Sequence, residues 1–209
     1  MTTSLTHDDS RREFTPKGWA TRARIVDAAA SLIVKHGLEG ATLEDIQAEA
    51  HVSASQLYHY FTDKSALILA VIQNQSDAVL GSHRAVLDRL DSFEALDEWR
   101  DMIVASLESQ DCVGGCPLGS LASGLAESNP AARAALADSF AEWERMLGVG
   151  LAAMRDRGEL RADVDVDSLA LSILAGVQGG LLLSQTRRDS RSVRIAVDAS
   201  IAYLRTLRP

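Results

Sequence analysis

Residues 42–64 read TLEDIQAEAHVSASQLYHYFTDK, and two helix starts are written into them. Thr42 stands three residues before Asp45, ahead of the apolar Leu43, Ile46 and Ala50. Ser53 stands three residues before Gln56. Both pairs have the spacing of a capping box, which satisfies backbone N–H groups left open by the first helical turn. A break at His51-Val52-Ser53 separates the two helices. The second, over 54–60, is too short to persist alone, and Val52, Leu57 and Phe61 form its small apolar base. Outward it offers Ser55, Gln56, Tyr58, His59 and Tyr60. A short helix rich in hydrogen-bonding side chains suits insertion into a DNA major groove.

Helical periodicity extends in both directions. Ile25, Ala28, Ala29, Leu32 and Ile33 fall on one face of a helix from about 17 to 36, which Gly37 ends. Beyond residue 63, Leu67, Val71 and Val79 continue a helix to about 90, with a bend expected near Gly81. Phe93, Leu96, Trp99, Met102, Ile103 and Leu107 mark the next, over 92–109. A loop, DCVGGCPLG, then leads into a short helix. Asn129-Pro130 is an N-cap with proline at the first helical position, opening a helix to about 157 that Gly158 stops. Two more are expected over 165–187 and 190–207. With 46% hydrophobic residues, only 4 prolines and no alternating β-branched run, the pattern predicts an all-α fold of about nine helices.

In 209 residues there is room for one large or two small domains. No apolar run of the length of a membrane span is expected. The first residues, MTTSLTHDDSRREFTPKG, are polar and unlike a signal peptide. Two cysteines make no disulfide framework, so a cytoplasmic protein without membrane contact is expected. The 5 histidines are scattered. No Glu-x-x-His pair, phosphate loop or nucleophile elbow occurs. No catalytic set, metal site or cofactor is therefore expected.

Charge counts against a general polyanion binder. The net formal charge is −8, and residues 17–65 carry five Lys/Arg against six Asp/Glu, 5 − 6 = −1. Affinity for DNA usually leans on phosphate neutralisation. Asp45 and Glu49, however, fall on the non-reading helix, while Arg22, Arg24 and Lys64 fall near helix starts. Arg11 and Arg12 add charge in the tail.

Over residues 21–72 the sequence resembles the TetR family of one-component transcriptional repressors. The residues that carry the resemblance are Ile25, Ala28, Ala29, Gly37, Thr42, Ile46, Ala50, Val52, Ser53, Leu57, Tyr58, Tyr60, Phe61, Lys64 and Leu67. Where the family has alanine-glycine-valine-serine at the turn, this chain has Ala50-His51-Val52-Ser53; a positive φ there would strain the histidine modestly. The block 115–122, GCPLGSLA, and 176–181, GVQGGL, are similar to later parts of the family. The pattern along the chain reads as a flexible arm over 1–16 and a helix-turn-helix DNA-binding domain over 17–63, and the resemblance implies that 64–209 is a ligand-binding and dimerisation domain. It assigns Tyr58 and Tyr60 to phosphate and groove-wall contacts, leaving Ser55, Gln56 and His59 as base readers. Glutamine can pair bidentately with adenine. Thr42, Ser53 and Lys64 complete the expected DNA-binding set, at helix starts whose backbone N–H groups favour phosphate.

Several features admit two readings. Trp99, Met102, Ile103, Trp143, Met146, Leu147 and Gln178 line an effector pocket or are plain core. Ile173, Gly176, Gly179, Gly180, Leu183, Val197, Ile201 and Leu204 form a four-helix dimer seam or pack within one subunit. Cys112 and Cys116 act as a thiol-based redox sensor, or Cys116 is a small buried hydrophobe at a helix start. The expected function is a homodimeric repressor on a pseudo-palindromic double-stranded operator, released by a small lipophilic effector. The alternatives are the thiol sensor and a helical binding protein that does not act on DNA.

Overall fold

The computed structural model describes residues 14–209, apart from the side chains of residues 38 and 39. Arg11, Arg12 and all but the last residues of the expected arm lie outside the described residues. Among the described residues every regular element is a helix: α1 (Pro16–Gly40), α2 (Leu43–Ala50), α3 (Ala54–Tyr60), α4 (Lys64–Leu87), α5 (Phe93–Glu108), α6 (Pro117–Leu125), α7 (Pro130–Asp156), α8 (Val166–Arg187) and α9 (Arg191–Arg205). The start signals act as read. Thr42, Ser53, Asp63, Ser92, Asn129 and Asp165 each accept a hydrogen bond from the N–H three residues on. Gly37 breaks the helical path of α1, with φ 74° and ψ 172°. The bend expected near Gly81 is not a break, for α4 continues as one helix through it.

Helix α4 ties the fold together. Ala29 and Ile33 of α1, Ile46 of α2 and Leu67 and Val71 of α4 converge at one end, where Leu57 and Phe61 are also fully buried. That end is the three-helix head. Toward its other end α4 buries Leu80, Val86 and Leu87 and packs along α7; α7 packs on α8, α8 on α9, and α9 on α5. Trp99, Trp143, Leu147, Leu151 and Met154 fill the middle of this bundle.

Most of the expected dimer seam lies inside the chain. Ile173, Val197, Ile201 and Leu204 are buried between α8 and its neighbours. A Cβ on Gly180 would stand 2.7 Å from Val193 Cα, and one on Gly176 would touch Ser200. Gly180 is thus what lets α8 and α9 approach within one subunit, while at Gly176 a Cβ would make only ordinary contact. Gly179 and Leu183, by contrast, are exposed. A second correction concerns α8 itself, which by length and composition is apolar enough to cross a membrane. Packing on α7 and α9 accounts for part of that apolarity, while Leu171, Leu182 and Leu183 face outward.

Gly180→Ala therefore forces a methyl against backbone that cannot swing aside. The expected loss is about 1–3 kcal/mol, read as a lower urea midpoint at unchanged m-value. An unchanged midpoint would mean that α9 yields at no cost.

Candidate nucleic-acid interface and effector cavity

The turn between α2 and α3 is closed by backbone. His51 adopts the left-handed conformation, φ 52° and ψ 50°. Its N–H donates to Ala48 O at 3.2 Å, and the Val52 N–H to Gln47 O at 3.0 Å. This double closure satisfies two terminal carbonyls of α2 and buries Val52 beneath α3. The strain expected for a histidine at this position is present, at a cost of about 1–2 kcal/mol.

The two caps differ. At α3 the box is complete: the Gln56 N–H donates to Ser53 Oγ at 3.2 Å, and the Ser53 N–H to Gln56 Oε1 at 2.9 Å. At α2 the Asp45 N–H donates to Thr42 Oγ1 at 3.1 Å, but the Asp45 carboxylate takes the Thr42 hydroxyl, at 2.7 Å, instead of its backbone N–H. Aspartate is one methylene shorter than the glutamate or glutamine of a full box. The complete box at α3 corrects the expectation for Gln56. Its carbonyl oxygen is already engaged, so bidentate pairing with adenine requires opening the cap; its amide N–H groups remain available as donors.

Ser55, Gln56, Tyr58 and His59 are exposed along α3, and Thr42, Ser53 and Lys64 are exposed at the starts of α2, α3 and α4. Tyr60 differs. It is half-buried, its ring 5.1 Å from Phe14 and 5.0 Å from His59. Phe14 also meets Trp19, edge to face at 5.2 Å, and the Arg22 guanidinium lies over Phe61 at 5.0 Å and Trp19 at 5.8 Å. This aromatic frame at the end of α3 was missed in the sequence. The signal was Phe14 and Trp19 flanking the start of α1.

A second feature lies in the bundle, a cavity of about 330 Å³. Helix α4 contributes Gln75, Val79, Ser82 and His83; α5 contributes Met102, Ile103 and Ser106; Cys116 and Pro117 close it from α6, with Trp143 from α7 and Leu181 from α8. Of the expected pocket residues, Met102, Ile103 and Trp143 line it. Trp99, Met146 and Leu147 do not, being buried in the core, and neither does Gln178, which is half-buried beside Gly119 and Cys116. The α4 face was not among the expected lining residues, because Gln75, Ser82 and His83 are polar and break the apolar stripe of Leu67, Val71 and Val79.

His83 is the notable polar group. It accepts a 2.9 Å hydrogen bond at Nδ1 from Trp99 Nε1–H, and its ring lies 4.4 Å from that of Trp143. Burial lowers its pKa to about 4, because the charged ring is desolvated. Cys116 caps α6, its Sγ accepting from the Gly119 N–H at 3.5 Å. Burial pushes its thiol up, outweighing that N–H bond and the Gln178 amide, the opposite of what a reactive thiol needs. Cys112 is buried as well.

Comparisons with known proteins agree with this two-part layout. Residues 25–71 match the family described as bacterial regulatory proteins, tetR family, and residues 87–200 match the tetracyclin repressor-like C-terminal domain. The chain is 30% identical over 172 residues to an HTH-type transcriptional regulator in the lacX 3′ region of Lactococcus lactis, covering 81% of this chain and 85% of that one. It is 23% identical to the transcriptional repressor DhaR of a Mycobacterium strain, over 80% and 84% of the two chains. Among solved structures, the regulator CifR bound to a 26-base-pair operator superposes with a TM-score of 0.73 at 24% identity, covering 92% of this chain and 98% of that one.

Two expectations follow. Tyr58→Ala and Lys64→Ala should weaken binding to all DNA sequences, because phosphate contacts carry no sequence information. Gln56→Ala should relax preference at one or two base pairs and also lose about 1 kcal/mol of stability with the box. Quantitative gel shifts at moderate salt, with operator and scrambled DNA, measure both; wild-type affinity in Tyr58→Ala and Lys64→Ala would remove α3 and α4 from the interface.

Burial of neutral His83 predicts a fold that loses stability in acid. Its folded pKa of about 4 lies below the ordinary 6.5, so protonation favours the unfolded chain. The stability it confers is complete above about pH 6.5 and is lost as pH falls toward 4. Between pH 7 and 5 the loss is roughly 2 kcal/mol. Urea midpoints at the two pH values should differ by less in His83→Phe than in wild type; equal differences would refute the assignment.

Proposed function

We propose that this chain, which belongs to the TetR family of bacterial regulatory proteins, represses transcription as a homodimer and leaves its operator when a small, mostly apolar effector occupies the cavity beside α4. The family consists of DNA-binding transcription regulators, not enzymes, and this chain is one of them. The name of its relative DhaR supports repression. Bacterial operators lie in the cytoplasm, which is where such a protein works.

The observation that carries the reading is that α4 is part of both halves. Lys64 begins it beside α3, and Gln75, Val79, Ser82 and His83 border the cavity, about three to five helical turns further on. A smaller pocket of about 220 Å³ adjoins it, where Ile33 and Val34 of α1 face Pro117 and Leu121 of α6. Gln75 and Pro117 border both spaces. A ligand that displaces α4 or α6 thus moves the head. Two reading helices must meet half-sites about 34 Å apart, so a tilt of a few Å spoils simultaneous binding. The effector acts by preferring one of two dimer geometries.

An uncovered apolar face supports the dimer. Leu171, Gly179, Leu182 and Leu183 on α8 and Ile195 and Tyr203 on α9 all point out of the chain, the large ones 45–61% exposed. Leu171, Gly179 and Leu182 share one helical stripe. Exposed apolar faces of this kind mark association surfaces.

Gly179→Leu tests the seam cleanly. A Cβ there meets nothing within 4 Å of its own chain, and leucine favours helix over glycine by up to about 1 kcal/mol. Helix content should hold, while sedimentation shifts from dimer toward monomer. Affinity for DNA from upstream of its own gene should fall at least about tenfold. A dimer as tight as wild type would remove this stripe of α8 from the seam.

A further inference from the structure

Resting on the effector reading above, we propose that the cavity takes an uncharged ligand whose carbonyl or ether oxygen accepts a hydrogen bond from His83 Nε2–H, the rest of the molecule being apolar. The proton's position follows from Trp99. An indole nitrogen can only donate, and Trp99 Nε1–H donates to His83 Nδ1, so Nδ1 is bare. Between Trp99 and Trp143, with ring centroids 5.9 and 4.4 Å away, the imidazole is desolvated and neutral at pH 7. Its one proton therefore sits on Nε2. The bond from Trp99 is the hydrogen bond this ring makes among the described residues, and His83 borders the cavity. The tautomer lock thus leaves a donor for a ligand.

The surroundings narrow the class further. Trp143 borders the same cavity, is 1% exposed, and its Nε1–H meets no acceptor. That nitrogen is itself sealed from solvent, so Trp143 offers the cavity its ring and leaves His83 as the donor that faces a ligand. Among the described residues no Asp, Glu, Lys or Arg lines the cavity. A carboxylate or ammonium would be buried without a counter-charge. Gln75 and Gln110 also border it, one N–H of each amide engaged, by Asn74 Oδ1 and Ser106 O, and the other left as a neutral donor. Each keeps a carbonyl that tolerates a ligand hydroxyl. Neutral ketones, esters, lactones and ethers fit; acids and amines do not. Trp99 is a positioning residue, since it acts through the imidazole.

Calorimetric titration of the full-length protein with three matched probes tests this: methyl naphthyl ketone, its hydrocarbon isostere isopropenylnaphthalene, and naphthoate. The ketone should bind at least about tenfold tighter than the hydrocarbon, and naphthoate weakest. In His83→Phe the ketone-to-hydrocarbon ratio should fall to within about twofold of one, with hydrocarbon affinity changed less than about threefold. Trp99→Phe keeps the imidazole but frees its tautomer, and the ratio should fall partway. The ratio separates recognition from loosening, which would weaken both neutral probes alike. A wild-type ratio near one, a ratio retained in folded His83→Phe, naphthoate binding best, or neither neutral probe binding would each overturn the proposal. Operator release is scored separately by gel shift. A ketone that binds with the expected ratio yet leaves DNA bound supports the cavity chemistry and refutes its regulatory role.

Discussion

Burial of α4 at both ends is the constraint on which this fold depends. Leu67 and Val71 complete the head with Ala29, Ile33 and Ile46, while Leu80, Val86 and Leu87 are buried toward the bundle. A helix of 24 residues spans about 36 Å, and with apolar contacts along it the helix does not melt locally at low cost. Helix α3 has no such resource. Its 7 residues persist because Leu57 and Phe61 are sunk in the head and because the Ser53–Gln56 box ties down its first turn. The head has α1, α2 and α4 as rigid support and α3 as the presented edge.

The electrostatics of the head favour geometry over charge as the source of discrimination. With −1 over residues 17–65, the gain from counterion release is modest. Three of the six acidic residues, Glu44, Asp45 and Glu49, lie on α2 and not on α3, with Asp45 turned back onto Thr42. Acidic side chains in the first turn of α2 oppose its partial positive charge favourably, so these carboxylates stabilise the head while reducing its attraction for phosphate. Arg22 is partly engaged by the faces of Phe61 and Trp19. On the function proposed above, recognition rests on the few donors and acceptors of α3 and on the spacing of two heads.

The head was legible because its signals are local. A cap pair three residues apart, a glycine break at 37 and apolar residues at helical spacing each report on one or two turns of chain. The left-handed His51 was readable for the same reason, since one position must close α2. What stayed hidden at this end needs distance in sequence. The aromatic frame joins Phe14 and Trp19 to His59 and Tyr60 across some forty residues, and no spacing rule connects them. The cavity was legible only in part for a related reason: Met102, Ile103 and Trp143 were readable as apolar or aromatic residues, but His83 on α4 was not, because its role comes from neighbours on α5 and α7.

Helix α8 shows why periodicity alone could not separate a seam from a core. It is apolar nearly all round, and three different surfaces use that apolarity. Ile173, Val177 and Leu181 are buried in the subunit, Gly180 admits Val193 of α9, and Leu171 and Leu182 face outward. A sequence reports that a residue avoids water and leaves open which neighbour covers it. Gly179 and Gly180 are adjacent, alike in propensity, and opposite in role, since neighbouring positions on a helix point about 100° apart. The polar interior carries the same lesson. Trp99 and His83 are each apolar in outline, and their pairing places a neutral hydrogen bond inside the bundle without a charge. Such a pair costs little once both partners are buried together, whereas one left alone costs the full desolvation of its polar atom. The bundle can therefore hold a directional polar group beside an apolar cavity and stay stable at neutral pH, which is what discrimination among uncharged ligands requires.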